Sequence, residues 1–352
     1  MDAPAHPDGA PAPVAVLGAG SWGTALAFSL AAHGGHPVTL WARREAHAAA
    51  IRATGRNEAY LPAALLPDTV RVTSDLDEAA TSARLWVFAV PSQYVRGVAR
   101  EAARHVRDVG PGLTVVSVAK GIENDTLLTT TGVLRDVLAA EDPRRIGVLY
   151  GPSHAEEVAL SRPTSLVVAM PDRAAAERVQ EIFMTRALRV YVNADLLGVE
   201  IAGSVKNVMA LAAGMGDGLG LGDNAKAALV TRGLAEIKRL GLAMGAEAET
   251  FFGLAGLGDL VVTCFSRHSR NRLFGEMIGG GMSVAEAEGA MTMVVEGVRT
   301  AVSVRALARR HGVEMPITEA VCAILFEGLR PADAVGELMT RDPKAEDLPL
   351  MA

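Results

Sequence analysis

Lys206 and Asn207 stand in the middle of an otherwise apolar stretch, Glu200-Ile201-Ala202-Gly203-Ser204-Val205-Lys206-Asn207-Val208-Met209-Ala210. An unpaired buried ammonium is costly, so a lysine at such a place either snorkels to the surface or is buried for a purpose. Three further groups have residue types suited to chemistry. Asp259 follows Gly256-Leu257-Gly258, where it either caps the next helix or serves a site. Ser269-Arg270-Asn271, after Ser266-Arg267-His268, is a cluster of donors that could hold a phosphate or lie in a solvated loop. Gly18-Ala19-Gly20-Ser21-Trp22-Gly23 has the spacing G-x-G-x-x-G. With that spacing, glycines let the backbone approach a pyrophosphate, and a helix N-terminus supplies free N–H groups and positive partial charge.

These residues need elements to position them. The glycine run lies between the apolar run Val14-Ala15-Val16-Leu17 and the helix formers Thr24-Ala25-Leu26-Ala27-Phe28, and a second strand, Val38-Thr39-Leu40-Trp41, follows after Gly34-Gly35-His36-Pro37. That is a βαβ unit, which raises the motif above a chance match in a chain with 36 glycines. Further short apolar runs at 70–72, 85–90, 113–118, 146–150 and 165–169 alternate with helix-length segments, the pattern of a doubly wound, mainly parallel sheet. Three of them end in Pro91-Ser92-Gln93, Lys120-Gly121-Ile122-Glu123 and Gly151-Pro152-Ser153. Ligands of such sheets bind beyond the carboxyl ends of the strands, so these loops are expected to face the chemistry. After Asp195 the strand runs stop and helical patterns follow at 196–213, 224–244, 294–310 and 317–329, with a Gly-rich break at 253–258. The expected organisation is a leader at 1–13, a Rossmann-type dinucleotide domain at 14–194 and an all-helical substrate domain at 195–345. The site is expected in the cleft between the two domains.

With 352 residues, half of them hydrophobic, the chain exceeds what one core usually accommodates. A net charge of -6 offers no general attraction to nucleic acid or anionic lipid. The two cysteines, Cys264 and Cys322, are far apart and suit reduced thiols in a cytoplasm. The first residues lack the basic start and apolar core of a signal peptide, and the most apolar stretch, 201–221, is broken by Lys206, Asn207, Asp217 and glycines. No membrane span is expected.

In this order, Gly18 to Thr24, Pro91-Ser92-Gln93, Lys120 to Glu123, Gly151-Pro152-Ser153-His154-Ala155, the segment from Gly198 to Gly218, Gly256 to Leu260 and Ser269-Arg270-Asn271 resemble the bacterial NAD(P)-dependent glycerol-3-phosphate dehydrogenases. The likeness runs from Val14 to about Gly328. It implies hydride transfer between a nicotinamide and C2 of the substrate, interconverting sn-glycerol 3-phosphate and dihydroxyacetone phosphate, and supply of glycerol 3-phosphate to phospholipid synthesis. By resemblance, Lys206 takes the proton-transfer role with Lys120 and Asp259 beside it. Gly151, Ser153, Ser269, Arg270 and Asn271, together with Lys120, Lys206 and Asp259, become substrate contacts. Ser21, Trp22, Arg43, Lys120, Ala155, Arg270, Val294 and Glu296 become cofactor contacts, next to Gly18, Gly20, Gly23 and Arg44.

The chemistry asks for the same residue types. A lysine ammonium can stabilise the charge that develops on a carbonyl oxygen accepting hydride and can deliver the proton, without a metal. Burial and Lys120 would lower its pKa while Asp259 would raise it, a balance left open at this level. The second strand ends in Arg43-Arg44 rather than an acidic residue, which predicts that NADP(H) is preferred and NAD(H) also used. His154 is expected to pack at a helix start without a catalytic role. A homodimer is plausible from the long amphipathic helices. Two other readings stay open: a β-hydroxyacid-type dehydrogenase acting on carboxylates, and a non-catalytic dinucleotide sensor, which would have no need of Lys120, Lys206, Asp259, Arg270 and Asn271 together.

Overall fold

The structure is a computed structural model and describes residues 11–138, 142–343 and 346. Of the expected leader, residues 1–10 lie outside the described residues, as do 344–345 at the end of the expected helical domain.

Among the described residues ten strands form: β1 Val14–Leu17, β2 Val38–Trp41, β3 Arg56–Asn57, β4 Leu61–Leu65, β5 Val70–Thr73, β6 Leu85–Phe88, β7 Thr114–Ser117, β8 Ile146–Tyr150, β9 Thr164–Ala169 and β10 Leu188–Asn193. Eight make one sheet in the order β10-β9-β8-β7-β6-β1-β2-β5, and β3 pairs with β4 apart from it. β1, β2, β6 and β7 are buried at every position. Continuous apolar runs of this kind are what a parallel sheet covered on both faces requires. β1 lies between β2 and β6, with Leu17 paired to Trp41 on one side and Phe88 on the other. The crevice therefore opens beyond the carboxyl end of β1, where the strand order reverses.

Two features depart from the sequence pattern. β9 runs antiparallel to β8, with β10 parallel to β9. The link between β8 and β9 contains only the short helix Ala155–Ala159, which packs on the helix Ser21–Ala32 instead of crossing a sheet face. A parallel return needs a longer crossover, so the edge of the sheet reverses. The Gly-rich break is not a loop either, because Leu254–Gly258 is a turn of π-helix leading into the helix Asp259–Phe265.

From Leu196 onward the described residues contain no strand. The helix Leu196–Gly218 is the axis of this half, surrounded by Gly222–Ala243, Asp259–Phe265, Arg270–Gly279 and Glu296–Arg310. Asp195 starts it, accepting from the Gly198 N–H at 2.8 Å, with its other oxygen held by Glu247 N–H and the Thr250 hydroxyl. Such a cap contributes about 1 kcal/mol. This helix is long and apolar enough to cross a membrane by length and composition, but 94% of its apolar window is buried inside the protein. It crosses the helix Arg270–Gly279 at backbone distance. A Cβ on Gly214 would stand 1.9 Å from the Arg272 carbonyl oxygen, and one on Gly275 would stand 2.1 Å from that of Leu211. This contact brings Asn207 against Asn271.

Candidate active site

The loops after β1, β2, β6, β7 and β8 line one cleft of about 800 Å³, whose opposite wall comes from the helical half. The glycine turn forms its floor, and each of its three glycines meets a different constraint. Gly18 has φ +132°, which L side chains rarely adopt, and a Cβ there would stand 2.6 Å from the Ala89 carbonyl oxygen at the end of β6. A Cβ on Gly23 would come within 1.9 Å of the Gly18 carbonyl oxygen, so the helix Ser21–Ala32 can sit down on the turn only without a side chain. Gly20 has nothing within 4 Å of its Cβ position and faces the cleft. A tight turn, an open backbone approach and close helix packing are the three requirements of a pyrophosphate cradle, so these residues fit a dinucleotide.

At the adenosine end, Arg43 and Arg44 are exposed along the cleft and have no ion-pair partner among the described residues. Glu45, the first carboxylate after β2, turns away from the cleft to hold Arg52 and the Ser74 hydroxyl. His47 and Tyr60 also line this end. His47 lies 2.9 Å from the Asn57 oxygen, and the Asn57 amide donates to the Ala19 carbonyl of the glycine turn.

At the other end two lysines from different halves meet one carboxylate. Asp259 Oδ2 lies 2.5 Å from the Lys120 ammonium and Oδ1 lies 2.7 Å from that of Lys206. Lys206 is 5% exposed and Asp259 is 1% exposed, so the lysine does not snorkel and the aspartate is not a cap. Lys206 also donates to the Thr263 hydroxyl at 2.5 Å, which in turn donates to the Asp259 carbonyl at 2.6 Å. Lys120 donates to the Gly151 carbonyl at 3.0 Å. Burial lowers the Lys206 pKa to about 8, Asp259 opposing and Lys120 adding to the effect. Burial pushes Asp259 up, but Lys120 and Lys206 outweigh it and hold the carboxyl below its usual range. Two cations against one anion leave a net positive site that suits an anionic ligand or a developing oxyanion.

The donor cluster flanks this centre. Ser269 caps the helix Arg270–Gly279 and is buried, and Arg270 reaches across to the Val294 carbonyl at 3.3 Å. The Asn271 amide is engaged within the protein, donating to Asn207 Oδ1 at 3.0 Å and accepting from the Gly297 N–H at 2.9 Å. Asn207 donates to the Lys120 carbonyl at 3.4 Å. Ser153 donates to the Gly151 carbonyl at 3.0 Å, and Gly151 itself has φ +140°.

Several residues tie the halves together over the cleft. Glu296 accepts from the Ser92 N–H at 3.0 Å, and the Ser21 hydroxyl donates to the Met293 sulfur at 3.3 Å. Trp22 and Ala155 line the same floor. His154 precedes the helix Ala155–Ala159, where the sequence placed it, and its ring also faces His268 across the cleft at 5.8 Å. Burial lowers its pKa, with Lys206 adding to the effect.

Sequence reasoning assigned no site role to Thr263, Asn207, His47 or Tyr60. Thr263 was within reach, because it follows Asp259 by one helical turn and so shares its face. His47 and Tyr60 come from outside the motifs and carry no local signal. Both cysteines are buried thiols, and no group of three or more His, Cys, Asp or Glu side chains able to hold a metal occurs among the described residues.

Comparison with known proteins matches both halves of the chain to the two parts of one family. Residues 13–176 match the family described as NAD-dependent glycerol-3-phosphate dehydrogenase N-terminus, and residues 195–336 match its C-terminus. A glycerol-3-phosphate dehydrogenase (NAD(P)+) of Salinibacter ruber is 61% identical over 333 residues, covering 95% of this chain and 96% of the relative. One from Moorella thermoacetica is 52% identical over 328 residues, with coverages of 93% and 96%. The crystal structure of glycerol-3-phosphate dehydrogenase from Coxiella burnetii superposes with a TM-score of 0.89 at 39% identity, covering 94% of this chain and 99% of that one.

Proposed function

The chain belongs to the NAD-dependent glycerol-3-phosphate dehydrogenase family, and from that premise we propose how its cleft performs the reaction. The enzyme interconverts sn-glycerol 3-phosphate and dihydroxyacetone phosphate with NAD(P) as cofactor, which leaves neither the carboxylate-directed dehydrogenase nor the sensor standing. The bound nicotinamide supplies the hydride to C2, or accepts it in the reverse direction.

Lys206 is the proton-transfer residue. Its Nζ is held by Asp259 and Thr263 at the inner end of the cleft. In reduction the ammonium donates to the C2 oxygen as negative charge develops there, and in oxidation the neutral amine takes the hydroxyl proton. A pKa of about 8 makes both forms accessible near neutral pH, where acid–base catalysis is most effective. Lys120 stabilises the same oxygen, and Asp259 orients both ammonium groups. Arg270 binds the phosphate with its planar guanidinium, helped by Ser269 and Asn271, while Gly151 and Ser153 contact the substrate from the sheet side. Because Asn271 is already tied to Asn207 and Gly297, its part is to hold the arginine's helix in place as much as to touch phosphate.

Residues 14–194 seat the cofactor. Gly18, Gly20 and Gly23 with Ser21 and Trp22 would hold the pyrophosphate, and Ala155, Val294, Glu296 and Lys120, which line the same cleft, would complete the cofactor's contacts. Arg43 and Arg44, without an ion pair among the described residues, favour the phosphate of NADP(H), with NAD(H) also used. Residues 195–345 supply the proton and the phosphate anchor.

The enzyme supplies glycerol 3-phosphate for phospholipid backbones, and its two buried thiols suit the reducing cytoplasm. A homodimer is supported by the exposed residues Leu257, Val261 and Phe265, spaced four apart on an outer face. Sedimentation of Phe265→Asp tests it, and an unchanged mass would refute that surface as the interface.

The observation that carries the reading is the Lys206–Asp259–Lys120 cluster, its Lys206–Asp259 pair buried, at the end of a dinucleotide cleft. Following NADPH oxidation with dihydroxyacetone phosphate tests it. Absence of turnover by the parent enzyme would overturn it.

A further inference from the structure

Lys120 reaches Asp259 from a loop, and that loop is anchored from beneath. Ala119, its neighbour, has its carbonyl bonded by the hydroxyl of Tyr150, a fully buried residue at the end of β8. The Thr130 hydroxyl lies 3.3 Å from both the Tyr150 hydroxyl and Glu200 Oε1, and its single proton goes to one or the other. Glu200 is 2% exposed and lies on the same helix as Lys206. It also accepts from the Thr131 N–H at 2.9 Å and the Thr131 hydroxyl at 2.7 Å, so a carboxylate from the helical half caps the helix Thr130–Val137 of the sheet half.

The Tyr150 ring completes the contact on two sides. A Cβ on Gly203 would stand 2.5 Å from it, so ring and helix backbone are in direct contact three residues before Lys206. The Lys120 ammonium lies 5.7 Å from the ring centroid, within the range of a cation–π attraction. Nothing in the proton-transfer scheme uses Tyr150 or Glu200, and polar groups this deeply buried are costly unless fully satisfied.

We propose that Tyr150, packed against the helix that carries Glu200 and Lys206, is a positioning residue: it fixes Lys120 against Asp259 and so sets the electrostatic environment of Lys206. This rests on Lys206 being the proton donor. The charged and titratable groups around Lys206 are Asp259 and Cys264 on the neighbouring helix, Lys120 and His154 from the sheet half, and Glu296. Of these, Tyr150 controls Lys120. Releasing Lys120 removes a repelling cation and leaves more of Asp259 to Lys206, and both changes favour the ammonium.

Tyr150→Phe keeps the ring on Gly203 and removes only the hydroxyl. Its kcat for dihydroxyacetone phosphate reduction should fall roughly fivefold to tenfold. The alkaline limb of its kcat–pH profile should move up by roughly half a pH unit or more. Glu200→Gln should move the same limb in the same direction by less, and reads the effect if Tyr150→Phe does not fold. A fall in kcat with the limb in place would reduce Tyr150 to a structural residue and overturn the inference, as would an unchanged kcat. An inert parent enzyme overturns the functional reading and this inference together, whereas an active parent with an unmoved limb overturns the inference alone.

Discussion

Asp259 Oδ1 lies 2.7 Å from the ammonium of Lys206, and both groups are almost wholly buried. A buried pair of this kind is a poor source of stability, because desolvation offsets most of the Coulomb attraction. Its value here is chemical. The carboxylate keeps the lysine aimed and partly charged where an isolated ammonium would be neutral.

Removing the amine should therefore remove the proton transfer. Lys206→Ala is expected to lower kcat by about 10²–10⁴-fold. Lys206→Arg should not restore it, since a guanidinium keeps its proton through the working range. Steady-state rates with dihydroxyacetone phosphate and NADPH check this, and a Lys206→Ala enzyme as fast as its parent would refute the assignment.

The two directions of the reaction should respond to pH with opposite signs. Reduction needs the Lys206 ammonium, so its kcat should decline as pH rises through about 8. Oxidation needs the free amine, so its kcat should rise through the same region. Profiles measured in both directions, with limbs that fail to mirror each other, would count against Lys206 as the titrating group.

Cofactor choice should follow Arg43. Because Glu45 is occupied by Arg52 and Ser74, the end of β2 offers the ribose guanidinium groups rather than a free carboxylate. Arg43→Asp should reduce kcat/KM for NADPH by about tenfold or more and shift preference toward NADH. A parent enzyme that strongly prefers NADH would contradict this.

Two glycines of one motif should fail in different ways. Gly20→Ala has open space and should fold with an unchanged Tm, but its methyl stands where the pyrophosphate must approach, raising KM for NADPH several-fold. Gly23→Ala drives a Cβ into the Gly18 carbonyl and should cost about 1–3 kcal/mol of stability. Thermal melts and NADPH titrations of both variants would show whether the distinction holds.

Loss of the phosphate anchor should appear in binding. Arg270→Ala is expected to raise KM for dihydroxyacetone phosphate by about tenfold or more with a smaller change in kcat, since a charge-assisted contact is lost in ground and transition states alike. An unaltered KM would remove Arg270 from the phosphate site.

Much of this protein was legible locally. The G-x-G-x-x-G run between strand and helix, the alternation of apolar runs with helical segments up to β9 and the helical pattern after Asp195 are short-range features. Side-chain periodicities of two and 3.6 residues are written into the chain itself, so they need no knowledge of what lies opposite.

What required the tertiary structure is every choice that depends on a partner far away in sequence. Nothing near Lys206 says whether it snorkels or is buried, and nothing near Asp259 says whether it caps a helix or pairs. Packing settled both by bringing a loop after β7 and two helices to one point. The sign of the Lys206 shift was open for the same reason, because it is a balance of burial, one anion and one cation that exists only once they are assembled. The reversal of β9 is also tertiary: its apolar run serves either direction, and only the short path from β8 decides which one the strand takes.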